Sequence, residues 1–271
     1  SSHLAEVREI GEAVKAEAKT EIPTLLKYAE PLPYIEETSR DLATLAGSLS
    51  LSPSSGDWCS LSGADAEGER RILAAALYRF GNMSYAQAIE MVNQHPNIPA
   101  LAEVVLGRLG RFDIPLRELE YTTYTFDLVM DQGAYAEFKR HRMMTQTPQK
   151  LTCALGYAVP RLFVDAGFEA QYRQAMALAR STWQKLAEWN MDVAQYVVPN
   201  GYNRRVLAAF NLREAFAFCQ LRTASNAHFS ILRIAQRMPE EILRVHPILA
   251  GYMRLQDETW RGIDAEYFAE V

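Results

Sequence analysis

At 271 residues, 49% apolar and 23% charged, the chain has a globular composition and enough length to hold a fold by core packing, without disulfides or a structural metal. Its 28 Lys and Arg against 33 Asp and Glu give a net charge of −5, so it lacks the basic excess of a nonspecific nucleic-acid binder; the expected partners are small molecules, not polymers. Cys59, Cys153 and Cys219 are odd in number and far apart, which argues against a zinc site or disulfide framework and for buried free thiols in a cytoplasmic protein.

No apolar run is long enough to span a membrane, no signal peptide is visible, and Ser1-Ser2-His3 reads as a cut point in a longer protein. Residues 4–28 read as an amphipathic helix, with Val7, Ile10, Val14 and Ala18 on one face and a kink at Pro23. A second helix is expected over 35–49, and Leu51–Gly56 reads as the linker that separates a helical extension (1–50) from the main domain (57–271). A short strand over 57–61, a turn over 64–68 and helices over 70–80, 84–94 and 98–109 follow.

Residues 121–129 are rich in β-branched and aromatic residues and form the best strand in the sequence, followed by a helix over 134–142. A strand with a turn is expected over 152–163, a long helix over 169–188, a strand over 204–210, and helices over 211–221, 225–237 and 239–253. Together these predict an α+β fold, a small and mostly antiparallel sheet flanked by long helices. Residues 1–28 also align without gaps on 225–252 (Ile10 meets Ile234, Pro23 meets Pro247, Leu25 meets Leu249 and Tyr28 meets Tyr252), which reads either as chance matches between two amphipathic helices or as the last helices of an earlier copy of the same unit.

The chemistry concentrates at Arg140-His141-Arg142, whose two guanidinium forks and imidazole suit phosphates or carbonyl oxygens. His95 and His246 read as surface or packing residues, Tyr121, Tyr124 and Phe126 as strand packing, Met143-Met144 as core filler, and Asp127 and Asp131 as solvated strand-end charges.

In its context the triplet resembles the motif of the flavin-dependent thymidylate synthases, in which Arg-His-Arg is followed by Ser, Asn, Ser and an Arg-Tyr pair. Here Thr145 replaces the first Ser, Thr147 the Asn, Lys150 the second Ser and Thr152-Cys153 the Arg-Tyr. The resemblance extends to Arg71–Ala76, Glu120-Tyr121, Tyr124–Phe126, Asn211-Leu212-Arg213, Leu221-Arg222 and Ser225–Ile231, and so covers roughly residues 57–253. Ser2–Glu9 resembles the closing helix of that family even more than Ser225 onward does. This implies a tandem protein of which the first residues are the tail of an earlier unit.

The resemblance implies FAD at a subunit interface of a homo-oligomer, and methylation of dUMP to dTMP with methylenetetrahydrofolate and NADPH as co-substrates. By position Arg140, His141, Arg142, Asn211, Arg213 and Glu120 are expected at FAD, and Arg222 is the catalytic arginine that polarises the uracil. Lys150 and Arg222 are expected at the substrate. The substrate side departs most from the family: Pro148, Lys150 and Thr152 stand for Glu, Ser and Arg, Gln195 for a phosphate-binding Arg, Glu137 for a Gln and Ala217 for a flavin-contacting Asn. Two other functions remain open: a structural or regulatory unit without turnover, and a flavoprotein acting on another nucleotide-like substrate.

Overall fold

The computed structural model describes residues 2, 4–49, 56–110 and 112–270, so most of the expected linker lies outside the described residues. Three helices lead the chain: α1 (Ala5–Glu21), α2 (Pro23–Leu26) and α3 (Pro33–Ser48). Strand β1 (Cys59–Ala64) follows, then α4 (Gly68–Tyr78), α5 (Tyr85–Gln94) and α6 (Ile98–Leu106). Next come β2 (Thr123–Asp131), α7 (Gln132–Phe138), β3 (Thr145–Pro148), β4 (Val159–Pro160), α8 (Arg161–Asp165), α9 (Glu169–Trp189) and α10 (Met191–Ala194). Strand β5 (Asn203–Asn211), α11 (Leu212–Arg222), α12 (Phe229–Val245), α13 (Pro247–Ala250), α14 (Trp260–Tyr267) and β6 (Phe268–Glu270) complete it.

Four strands form a wholly antiparallel sheet in the order β1-β2-β5-β3, while β4 and β6 pair separately. Alternation dictates the sheet's inner face. On β2, Tyr124, Phe126, Leu128 and Met130 are buried, and they lie opposite Phe210, Ala208, Val206 and Arg204 of β5. Helix α12 covers this face with Ile231, Ile234, Ala235, Met238 and Ile242, a helical spacing that puts all five on one stripe. Where α12 ends, His246 is fully buried. Its Nδ1 accepts from the Tyr124 hydroxyl at 2.6 Å and its Nε2 donates to the Asp65 carbonyl at 2.7 Å, which ties α13 to β2 and to the turn before α4.

Both central strands run directly into helices through a side-chain cap. Asp131 accepts from the Ala134 N–H at 2.8 Å to start α7, and Asn211 accepts from the Glu214 N–H at 2.9 Å to start α11. These two strand-to-helix corners lie at opposite ends of the antiparallel β2–β5 pair, Asp131 opposite Asn203 and Asn211 opposite Thr123. Burial pushes the Asp131 carboxyl up, against the opposing pull of the Ala134 N–H. It is therefore a half-buried cap, not the solvated strand-end charge expected.

The structure corrects several boundaries. The expected break at residue 239 does not occur, and α12 runs unbroken through Pro239. Pro239 removes one N–H, yet the helix is packed on both sides of it, and that packing outweighs the propensity. Helix α7 stops at Phe138, so the Arg-His-Arg triplet sits in the turn beyond it, not on a helix. Residues 152–163 hold a turn, a bridge from Tyr157 to Tyr202, and the two-residue β4. Strand β3 was not expected; its Pro148 is tolerated because β3 is a sheet edge. Met144 is buried as expected, while Met143 is exposed. Cys59, Cys153 and Cys219 are buried free thiols, and burial pushes Cys59 up to about 12.

Candidate functional site

The triplet is fixed by its own turn. The Lys139, His141 and Met144 N–H groups donate to the carbonyls of Tyr135, Phe138 and His141. Gln146 of β3 reaches back to donate to the carbonyls of Phe138 at 3.2 Å and His141 at 3.1 Å. The unexpected fourth strand is thus what anchors the turn.

Within this turn His141 is buried, edge-on to the Phe218 ring at 4.9 Å. Its Nε2 accepts from Arg222 Nε at 3.1 Å. Arginine only donates, so the ring proton is on Nδ1 and donates to Glu214 Oε1 at 2.9 Å. Arg222 also donates from Nη1 to Glu137 Oε2 at 2.6 Å and from Nη2 to the Glu137 carbonyl at 3.2 Å. A chain of groups therefore runs Glu137–Arg222–His141–Glu214 and binds the end of α7 to α11. Arg140 and Arg142 are exposed beside it, Arg140 within 3.7 Å of Glu137.

Next to this chain lies a cleft of about 830 Å³. Asn211, Arg213, Glu214 and Glu120 line one side, Met143 extends the triplet's turn to it, and Arg254 adds a cation. Phe112, Ile114, Phe216, Leu221 and Leu255 supply apolar walls. Arg213 holds the cleft's shape by donating to the Pro115 carbonyl and to Glu120 Oε1, each at 2.9 Å. Hydrogen bonding from Arg117 foremost, with Arg213 adding to it, holds Glu120 below the usual carboxylate range.

The expected site residues divide into three groups. Asn211, Arg213 and Glu120 line the cleft. His141 and Arg222 belong to the chain of groups beside it, and Arg140 and Arg142 are exposed on the same turn as His141. Lys150 lies elsewhere: its Nζ pairs with Asp192 at 2.7 Å, where Gln195 accepts from the Leu151 N–H and donates to the same Asp192. The sequence reading missed Glu214, Arg254 and the wall Phe112–Pro115. Glu214 carried a signal, since Asn211-x-x-Glu214 has the spacing of a helix-capping pair; the other residues carried none. Among the described residues no cluster of side chains could hold a metal, and no helix is long and apolar enough to cross a membrane.

The volume suits a cofactor, since ligand pockets run from roughly 300 to 1,000 Å³. The donors suit a dinucleotide. Asn211 spends its oxygen on the α11 cap, leaving its Nδ2 to donate, and Arg254 is a lining cation of the kind a diphosphate requires.

Comparison with known proteins shows the family. The thymidylate synthase complementing protein family matches residues 64–248. A UPF0159 protein of Chlamydia muridarum is 31% identical over 270 residues, covering 94% of this chain and 51% of that protein. A flavin-dependent thymidylate synthase of Sulfolobus acidocaldarius is 44% identical over 144 residues, 49% of this chain and 55% of that one. The chain spans about half the length of the curated relatives it matches. In fold it is similar to a UMP/dUMP methylase, PolB, of Streptomyces cacaoi bound with 5-Br dUMP (TM-score 0.56, 16% identity, 72% of this chain and 93% of that chain). It is also similar to the flavin-dependent thymidylate synthase ThyX of Helicobacter pylori complexed with FAD and dUMP (TM-score 0.52, 17% identity, 74% of this chain and 100% of that chain).

Proposed function

Since the chain belongs to the thymidylate synthase complementing protein family, we propose that it binds FAD in the cleft beside Arg140-His141-Arg142 and serves the methylation of dUMP to dTMP. Methylenetetrahydrofolate and NADPH are the co-substrates of this reading, and a homo-oligomer with sites at subunit interfaces is its setting. The observation that carries it is the coincidence of the cleft with Asn211 and Arg213, two positions the family resemblance assigned to flavin. Once reduced by NADPH, the bound flavin would supply the hydride. This chain's residues would bind and orient it: Asn211 would donate to a ring edge, Phe216 and Leu221 would exclude water, and Arg140 and Arg142, exposed on the adjoining turn, would supply charge for the diphosphate.

Arg222 is the candidate for stabilising charge that develops on the pyrimidine. In this chain all three of its nitrogens are engaged, by Glu137 and His141, and Lys150 is engaged by Asp192. That observation favours a second reading, a unit that keeps the fold and interface while another chain or unit completes the dUMP site.

Fluorescence-quenching titration with FAD tests the first step. Binding to the wild type is expected, weakened at least tenfold, about 1.4 kcal/mol, in Arg142→Ala. No binding to the wild type refutes the flavin assignment. Tritium release from labelled dUMP by the FAD-loaded protein separates turnover from a non-catalytic unit.

A further inference from the structure

The helix pair α1–α2 repeats α12–α13 in backbone as well as in sequence. Each pair has a helix of 17 residues, one intervening residue and a helix of 4 residues, at a constant offset in sequence. The intervening residues bend alike: Ile22 has φ −134° and ψ 53°, and His246 has φ −129° and ψ 68°. Their hydrogen bonds correspond too. Ile22 N–H donates to Ala18 O as His246 N–H does to Ile242 O, and Ala29 N–H to Leu26 O as Met253 N–H does to Ala250 O. The break and bend come from the X-Pro step that both pairs carry, and the match in both helix lengths and in hydrogen bonds extends it to the whole pair.

The pairs differ in what covers them. On α12–α13 the stripe Ile231, Ile234, Met238 and Leu249 is 0–1% exposed, because it seats on β1, β2, α7 and α11. The corresponding Val7, Ile10, Val14 and Leu25 are 44–75% exposed, and no residue of α1, α2 or α3 is buried. An apolar stripe on a helix of this kind requires a partner surface. The surface that seats the matching pair α12–α13 is the inner face of the sheet β1-β2-β5-β3. The relatives are long enough to hold two such units, since this chain covers about half of their length.

We infer that α1–α2 is the closing helix pair of a second, upstream unit of this same α+β fold, and that its apolar stripe seats on that unit's sheet as α12 seats on this one. The two units are then joined through α3, and the pair acts as a core element of its neighbour, not as a free arm. This inference is independent of which cofactor or substrate either unit binds.

Hydrogen–deuterium exchange tests it. Two samples are compared: the 271-residue chain, and the polypeptide extended upstream to the length of its relatives. In the shorter chain residues 5–26 should exchange within seconds at every protein concentration, while 229–250 are protected. In the extended polypeptide residues 5–26 should slow at least a hundredfold. Ile10→Glu should abolish that protection and Ile10→Ala should reduce it, with 229–250 unchanged in both as the internal check that this unit remains folded. Fast exchange of 5–26 in the extended polypeptide would overturn the inference. So would protection in the shorter chain that rises with concentration, because a second copy would then be the occupant. A natural reading frame that encodes no such unit upstream would also overturn it.

Discussion

Replacing Glu137 by Gln tests the chain of groups beside the cleft. The carboxylate accepts from Arg222 Nη1 at 2.6 Å, with the Arg222 side chain 14% exposed and that of Glu137 32% exposed. At about 4 Å between charge centres the gross attraction is about 4 kcal/mol for an effective dielectric near 20. Partial exposure cuts the net value of such a charge-assisted bond to about 1.5–3 kcal/mol. Gln retains a neutral acceptor, so Glu137→Gln should cost about 1 kcal/mol, a fall in Tm of about 2–4 °C. Arg222→Met should cost more, about 2–3 kcal/mol, because it leaves the buried Nε2 of His141 without a donor. A double-mutant cycle read by urea denaturation should give a coupling of about 1–2 kcal/mol, and a value below about 0.5 kcal/mol, as for independent sites, would refute the pairing. The functional consequence has the opposite sign. Neutralising Glu137 frees the Arg222 charge, so dUMP should bind about tenfold more tightly to the FAD-loaded variant, about 1.4 kcal/mol. Unchanged or weaker dUMP binding in calorimetry would show that Glu137 does not mask the arginine.

Other perturbations have equally definite signs. A Cβ on Gly68 would stand 2.2 Å from Thr122 Oγ1 and 2.7 Å from His246 Cε1, and His246 is pinned on both ring nitrogens. Gly68→Ala should therefore destabilise by about 1–3 kcal/mol. Gly262→Ala, with nothing nearer than 3.6 Å, should stabilise α14 by about 0.5–1 kcal/mol; equal shifts in Tm would count against this account. Tyr124→Phe leaves His246 Nδ1 unsatisfied in the core and should cost about 1–3 kcal/mol in urea denaturation, whereas no change would mean that the bond contributes nothing. Burial raises the Asp131 carboxyl above its usual value of about 3.9, so the stability it contributes is complete below that pH and is lost as pH rises through its folded value. Asp131→Asn keeps a capping oxygen and removes this loss; its stability relative to wild type should grow as pH rises above about 4, and a difference flat in pH would be the contrary result. Light scattering should give at least a dimer, and a monomer mass at all concentrations would contradict the proposed shared site.

The sequence by itself determined the elements whose periodicity is local. β-branched and aromatic residues marked β2, the 3.6-residue stripe marked α1, and the triplet with Asn211-x-Arg213 marked the flavin family, because a pattern along one element survives folding unchanged. What the sequence left undecided depends on groups far apart in the chain. Strand β3 has only four residues and a proline, and exists because β5 offers it an edge. Pro239 stays helical because core packs on both sides of it. Asp131 looked like a solvated charge until its burial was visible. Above all, Arg222 and Lys150 carried the charges expected at a substrate, and only the tertiary structure placed Glu137 and Asp192 against them. A charge is a property of a residue; whether it is free to meet a ligand is a property of its neighbours, and those are set by the fold.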